Sequence, residues 1–144
     1  GINIPEEGVI LLTIADKEKR EALGLARGYA ELGFRLMATE GTATMFAQEG
    51  LVVETVRKVS EGSPHILDLI RDGVIRMVIS TLTKGKQPEA DGFKIRRSTV
   101  EHAIPCLTSL DTAKAVLDVL TVTRRRRLVY AMALQDYAGR IRKH

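Results

Sequence analysis

The segment VILLTIA at 9–15 is a nearly continuous apolar run rich in β-branched residues. Such a run is the pattern of a strand buried on both faces, as in a parallel sheet. Asp16 stands where it can cap a following helix, in which Ala22, Leu25, Ala26 and Tyr29 recur at helical spacing until Gly33 ends it. FRLMA (34–38) reads as a second strand, TATMFAQEG as a short helix stopped by Gly50, and LVVETV (51–56) as a third strand. In SPHILDLIRDG, Ser63 is the cap, Pro64 suits the first helical position and Gly73 is the stop. VIRMVIS (74–80) is the fourth strand. STVEHA carries a Ser98–Glu101 capping-box spacing and precedes a short apolar IPCL. The last clear helix begins near Ser109, with Ala113, Val116, Leu117 and Leu120 on one face. Beyond it, Ala131, Leu134, Ala138 and Ile141 keep helical spacing, so the tail is expected to be helical too.

Alternating strands and helices joined by short connections predict an α/β fold, a doubly wound and mainly parallel central sheet. Right-handed crossovers place helices on both faces. The expected division is a linker remnant at 1–7, one domain at 8–123 and a basic helical tail at 124–144.

Charge changes the picture at one end only. The chain has 144 residues and a net charge of +4. Residues 124–144 hold seven Lys or Arg and one acid, leaving 15 basic and 17 acidic side chains in 1–123. The body is therefore slightly acidic, and a nucleic-acid reading rests on Arg124–Arg127 alone. With aromatics at 4% and no reading module, the arginine run fits a solvated helix end or a contact with a neighbouring subunit better. No apolar stretch approaches the ~20 residues of a membrane-spanning helix. A single cysteine, Cys106, excludes an internal disulfide and reads as a core thiol, so a cytoplasmic setting without membrane attachment is expected. His65, His102 and His144 show no ligand spacing, and no metal site is expected.

In a parallel sheet, ligands bind beyond the carboxyl ends of the strands. All four predicted strands end in hydroxyls or lysines. The first offers Thr13 and Lys19, the second Thr39, Gly41 and Thr42, the third Lys58, and the fourth Ser80, Thr81, Thr83 and Lys84. A phosphate monoester needs such a set. Helix-start N–H groups carry partial positive charge, a glycine lets the backbone approach, hydroxyls rotate to donate, and lysines supply point charges. Each residue has an ordinary reading as well: a threonine as a helix cap, a lysine as a solvated charge, TKGK as a turn. Agreement across four strand ends is what favours an anion site. Asp91 and Gly92 read as turn residues, and Arg96 and Arg97 as partners of acids or of a domain interface, ahead of a part in the anion site.

Four blocks, ATEGTA (38–43), VRKVSEGSPHILDLIRDG (56–73), VISTLTKGK (78–86) and DGFKIRRSTVE (91–101), occur in an order and spacing that resemble one family. It is the carboxyl-terminal regulatory domain of the carbamoyl-phosphate synthetase large subunit, whose fold is shared with methylglyoxal synthase. The resemblance covers roughly residues 8–122. It implies an allosteric domain without catalytic residues or a cofactor of its own, binding UMP as inhibitor and, in some members, IMP as activator. The parent enzyme would make carbamoyl phosphate from glutamine, bicarbonate and ATP, with Mg2+ or Mn2+, for pyrimidine and arginine biosynthesis. Its partners would be the upstream synthetase domains and a glutaminase small subunit, and the domain itself may be expected to self-associate. Positions similar to Lys19, Thr39, Thr42 and Lys58 contact phosphate or sugar in these relatives, and Thr13 matches a hydroxyl near the phosphate. Ser80 stands where asparagine is common. Thr108 fits the ornithine-responsive members, but Cys106 replaces their aromatic, so ornithine activation is not implied. The alternative is methylglyoxal synthase acting on dihydroxyacetone phosphate. That enzyme's GGD stretch is missing from TKGKQPEADG, where Asp91 is the only nearby catalytic candidate.

Overall fold

The structure, a computed structural model, describes residues 4–81 and 91–142, with the side chains of 91, 141 and 142 excepted. Strands β1 (Val9–Thr13), β2 (Arg35–Ala38), β3 (Glu54–Thr55), β4 (Ile75–Ser80) and β5 (Cys106–Leu107) form one sheet. Helices α1 (Lys19–Glu31), α2 (Glu40–Gln48), α3 (Ile66–Arg71), α4 (Asp91–Glu101) and α5 (Leu110–Arg142) surround it. The strand order is β3-β2-β1-β4-β5, and every pairing is parallel. This is the doubly wound α/β architecture expected from the alternation of elements.

All five residues of β1 are buried, because this central strand has neighbours on both edges and helices on both faces. Ile10, Leu12, Met77 and Ile79 point into a core shared with Ala22, Ala26 and Tyr29 of α1, Phe46 of α2 and Ala113 of α5. Val9, Leu11 and Val78 point the other way, onto Ile66 and Ile70 of α3 and Ile95 of α4. The period-two alternation along β1 and β4 thus feeds two separate cores. Helices α1 and α5 meet closely at Gly28, where an added Cβ would lie 2.5 Å from Leu117 Cδ2. Beside it the buried Tyr29 hydroxyl donates to the Ala113 carbonyl at 2.6 Å. Burial and the charge of Asp118 push the Tyr29 phenol well above its usual range, so it stays a donor.

Several local expectations are corrected. Asp16 does not cap α1; it opens a 3-10 turn, Asp16–Glu18, and its carboxylate binds Lys19 instead. The third strand shrinks from 51–56 to Glu54–Thr55, which pair with Met37 and Ala38 at the end of β2. Pro64 lies outside α3. His65 and Asp68 form the cap: Leu67 N–H donates to His65 Nδ1 at 3.2 Å and His65 N–H to Asp68 Oδ2 at 3.0 Å. This reciprocal box satisfies two end donors at once. Ser98 and Glu101 do not start a helix; they end α4, where the Ser98 carbonyl accepts from His102 N–H at 3.0 Å. Asp91 and Gly92, read as a turn, open that helix. It escaped the apolar pattern because its buried side includes Ser98 and Thr99. IPCL contributes a fifth strand of two residues. The last helix and the tail are one continuous 33-residue helix, with Ser109 Oγ accepting from Thr112 N–H at its start.

Candidate functional site

The strand order reverses direction between β1 and β4, which makes their carboxyl ends the topological switch point of the sheet. Thr13 and Ser80 are register partners there. They end strands whose preceding residues are core leucine, isoleucine and valine, so the fold buries them almost as deeply: Thr13 is 4% and Ser80 0% exposed. Thr13 Oγ1 and Ser80 Oγ have no hydrogen-bond partner among the described residues. A hydroxyl left so costs about 1–3 kcal/mol, and such groups in a native fold call for an explanation. The next residue behaves differently. Thr81 N–H donates to the Thr13 carbonyl at 2.9 Å, and Thr81 Oγ1 accepts from Ala15 N–H at 2.8 Å. Thr81 therefore ties the two strand ends together, and its hydroxyl keeps one proton to donate.

Lys19 and the start of α2 form the adjoining part. Lys19 Nζ lies 2.6 Å from Asp16 Oδ1 and 3.7 Å from where a Cβ on Gly41 would stand. The ammonium thus stands close to the first turn of α2. That turn opens with Thr39 in extended conformation at the cap position, without a side-chain cap bond. The Thr39 carbonyl accepts the first helical bond, from Ala43 N–H at 2.9 Å. The N–H groups ahead of it have no intrahelical partner, which is the arrangement that attracts anions. Thr42 is the third residue of the helix rather than its cap, and it is buried.

Lys58 follows β3 at the outer edge of the sheet and is exposed; its backbone N–H donates to Glu61 Oε1 at 2.8 Å. The structure thus brings Thr13, Ser80 and Thr81 together at the switch point, and Lys19 to Gly41. Lys58 stands at the same carboxyl edge, but two strands away from β1. Thr83 and Lys84 lie outside the described residues.

One functional side chain was misread in the sequence. Asp16 is the counter-ion of Lys19, and the hydrogen bond from that ammonium holds its carboxyl below the usual range. Their i,i+3 spacing carried the signal. An incoming anion competes with this carboxylate for Lys19. Arg96 and Arg97 are exposed on α4. Cys106 is half-buried, and burial raises its thiol. Among the described residues, no three His, Cys, Asp or Glu side chains are grouped to hold a metal ion, and no helix is long and apolar enough to cross a membrane.

A cleft of about 800 Å³ opens at the opposite, amino edge of the sheet, lined in part by Glu6, Phe34, Arg76, Arg124 and Arg127. Some of its polar groups are already engaged: Arg127 pairs with Glu6, and Arg124 donates to the Leu32 carbonyl at the end of α1. The carboxyl edge, with two buried hydroxyls that lack partners among the described residues, is the better candidate.

Comparison with known proteins agrees with the architecture. The family model for the MGS-like domain matches residues 21–108, more than half of the chain. Among solved structures, a methylglyoxal synthase from Elizabethkingia anophelis NUHP1 superimposes with a TM-score of 0.65 at 23% identity, covering 79% of each chain. ForH superimposes with a TM-score of 0.55 at 24% identity, covering 81% of each chain. At these identities the likeness is one of fold.

Proposed function

The chain belongs to the MGS-like domain family, and from that premise we propose that it is a regulatory module binding a nucleoside monophosphate, UMP or IMP. The parent would be the large subunit of a carbamoyl-phosphate synthetase. The observation that carries this reading is the pair of buried hydroxyls, Thr13 and Ser80, left without described partners at the switch point. A phosphate oxygen supplies the acceptors these donors lack. Lys19 adds charge, and the first N–H groups of α2 add a favourable dipole. Thr39, Thr42, Thr81 and Lys58 belong to the same edge and would hold the rest of the phosphate or the sugar. Charge-assisted bonds of this type contribute roughly 1.5–3 kcal/mol each. Regulation then requires that the ligand favour one of two arrangements of the parent, a coupling of roughly 1–3 kcal/mol. Residues 8–123 would form the regulatory domain, and ATP, metal and the glutaminase partner would belong to the rest of the parent.

Calorimetric titration of the chain with UMP, IMP and inorganic phosphate tests the reading. Saturable heat lost in Lys19→Met supports it. Absence of heat and of any thermal shift at millimolar nucleotide rejects it.

A second reading, methylglyoxal synthase, draws support from the overlay on that enzyme. It needs a carboxylate base facing dihydroxyacetone phosphate. Asp16 is engaged by Lys19, and the Asp91 side chain lies outside the described residues. Methylglyoxal formation abolished by Asp91→Asn would establish this reading over the first.

A further inference from the structure

Helix α5 has two dissimilar halves. Up to Leu120 it packs on the domain: Ala113, Leu117 and Leu120 join the core with α1. Every residue from Arg124 to Ala138 is exposed. This arm carries a run of seven apolar residues, LVYAMAL at 128–134, in which Leu128 is 61% and Met132 58% exposed. Arginines flank it on both sides, and its single acid, Asp136, is paired with Arg140 at 3.1 Å. An isolated apolar helix of this kind leaves a large favourable burial unrealised.

The complementary surface is on the same molecule. A groove of about 310 Å³ runs between α1 and α5, with Leu25, Leu110 and Leu117 along it and Glu21, Asp111 and Asp118 beside them. Among the described residues, Lys114 is the one cation lining it. The groove is therefore apolar and net acidic, and the arm is apolar and net basic. A continuous helix cannot fold back on itself, so the arm of one molecule cannot reach its own groove. From Leu117 to Met132 it has already run roughly 22 Å beyond it.

The helix also has a self-complementary charge order. Asp111, Asp118, Arg125 and Met132 recur every seven residues and share one side of α5. Arg124 and Arg127 are turned toward Leu32 and Glu6, whereas Arg125 is exposed on the groove side. We propose that the chain forms a two-fold dimer in which the α5 helices run antiparallel and each arm lies in the α1/α5 groove of the other copy. With the axis between Thr121 and Val122, Asp118 of each copy faces Arg125 of its mate, and Met132 and Leu128 cover the leucines of the groove. A parallel pair would set arginine against arginine along the same line. The exchange is reciprocal, so it closes at two copies and leaves no open end for filament growth.

Sedimentation equilibrium of the full 144-residue chain at micromolar concentration tests this. The wild type is expected to be a dimer. Leu128→Asp with Met132→Asp is expected to be a monomer with unchanged helical circular dichroism, since neither side chain is buried in the isolated fold. Arg125→Asp should raise the dimer dissociation constant by about tenfold or more. Adding Asp118→Arg to the same chain should restore it, because the two-fold axis re-pairs the reversed charges. A monomeric wild type overturns the proposal, as does a dimer indifferent to the 128/132 double variant. Failure of Asp118→Arg to rescue overturns the antiparallel register. A monomer that co-sediments with phosphatidylserine vesicles overturns the second copy as occupant in favour of a lipid surface.

Discussion

The two rims of the sheet handle polar groups in opposite ways. At the amino rim, Arg127 is closed against Glu6 and Arg124 against the Leu32 carbonyl, so charge there fastens α5 and the leading segment to the domain. At the carboxyl rim, two hydroxyls are buried without described partners, and a lysine stands against the bare first turn of a helix. The contrast sharpens along single strands. Leu11 and Thr13 lie on the same face of β1, Val78 and Ser80 on the same face of β4, and all four are buried. The first of each pair stabilises the fold through contact with α3 and α4. The second contributes a polar group that finds no partner among the described residues. The pairs at the amino rim are structural, whereas the carboxyl rim is where the proposed ligand would bind.

The largest expected effect breaks the contrast from the side of the strand body. Leu11→Ala should lower unfolding free energy by about 2–5 kcal/mol through lost transfer energy and a residual cavity, read by urea denaturation. Its effect on nucleotide affinity should follow only from unfolding. At the open rim, Lys19→Met should weaken phosphate or UMP binding by roughly 1.5–3 kcal/mol, measured calorimetrically, with little change in stability. The matching change Asp16→Asn should tighten binding, because it removes the carboxylate that competes for Lys19. A smaller effect separates the two kinds of rim most cleanly. Thr13→Val should leave stability unchanged or raise it by about 1 kcal/mol, since a buried unpaired hydroxyl is replaced by an apolar group of like shape, yet it should weaken ligand binding. Loss of stability in Thr13→Val would mean that the hydroxyl is a structural group after all.

The smallest effect concerns acid. The hydrogen bond from the His65 backbone, helped by Ser63, holds the Asp68 carboxyl below its ordinary 3.8. A depressed carboxylate adds stability above its unfolded value, and that part is lost as pH falls through the folded value. The melting temperature should therefore drop below about pH 4, and Asp68→Asn should flatten that part of the profile while lowering the plateau.

How much of this was legible depended on whether a signal was local. β1 and β4 stood out because strands buried on both faces must be apolar throughout. Gly33, Gly50 and Gly73 marked element ends because each adopts a positive φ there, a conformation that side chains resist. α4 was misread because Ser98 and Thr99 are polar yet buried, so its inner face does not look like one. The arginine run read as a single charged patch, but its first and last members turn toward the domain, and only the position of α1 and of Glu6 decides this. At the candidate site, the residue types at the strand ends were visible, and the order of the strands was not. Nothing local distinguishes Thr13 and Ser80, which have no partner among the described residues, from Thr81, which binds Ala15.

Taken alone, the amino-acid sequence determined the alternation of strands and helices, the parallel sheet this implies and the polar character of the strand ends. These follow from side-chain periodicity and backbone stereochemistry within a few residues. Only the tertiary structure decided that β1 and β4 lie side by side, that Lys19 meets both Asp16 and Gly41, and that α5 from 129 to 138 is left exposed. Those outcomes depend on how far elements travel before they pack, and that is a property of the whole chain.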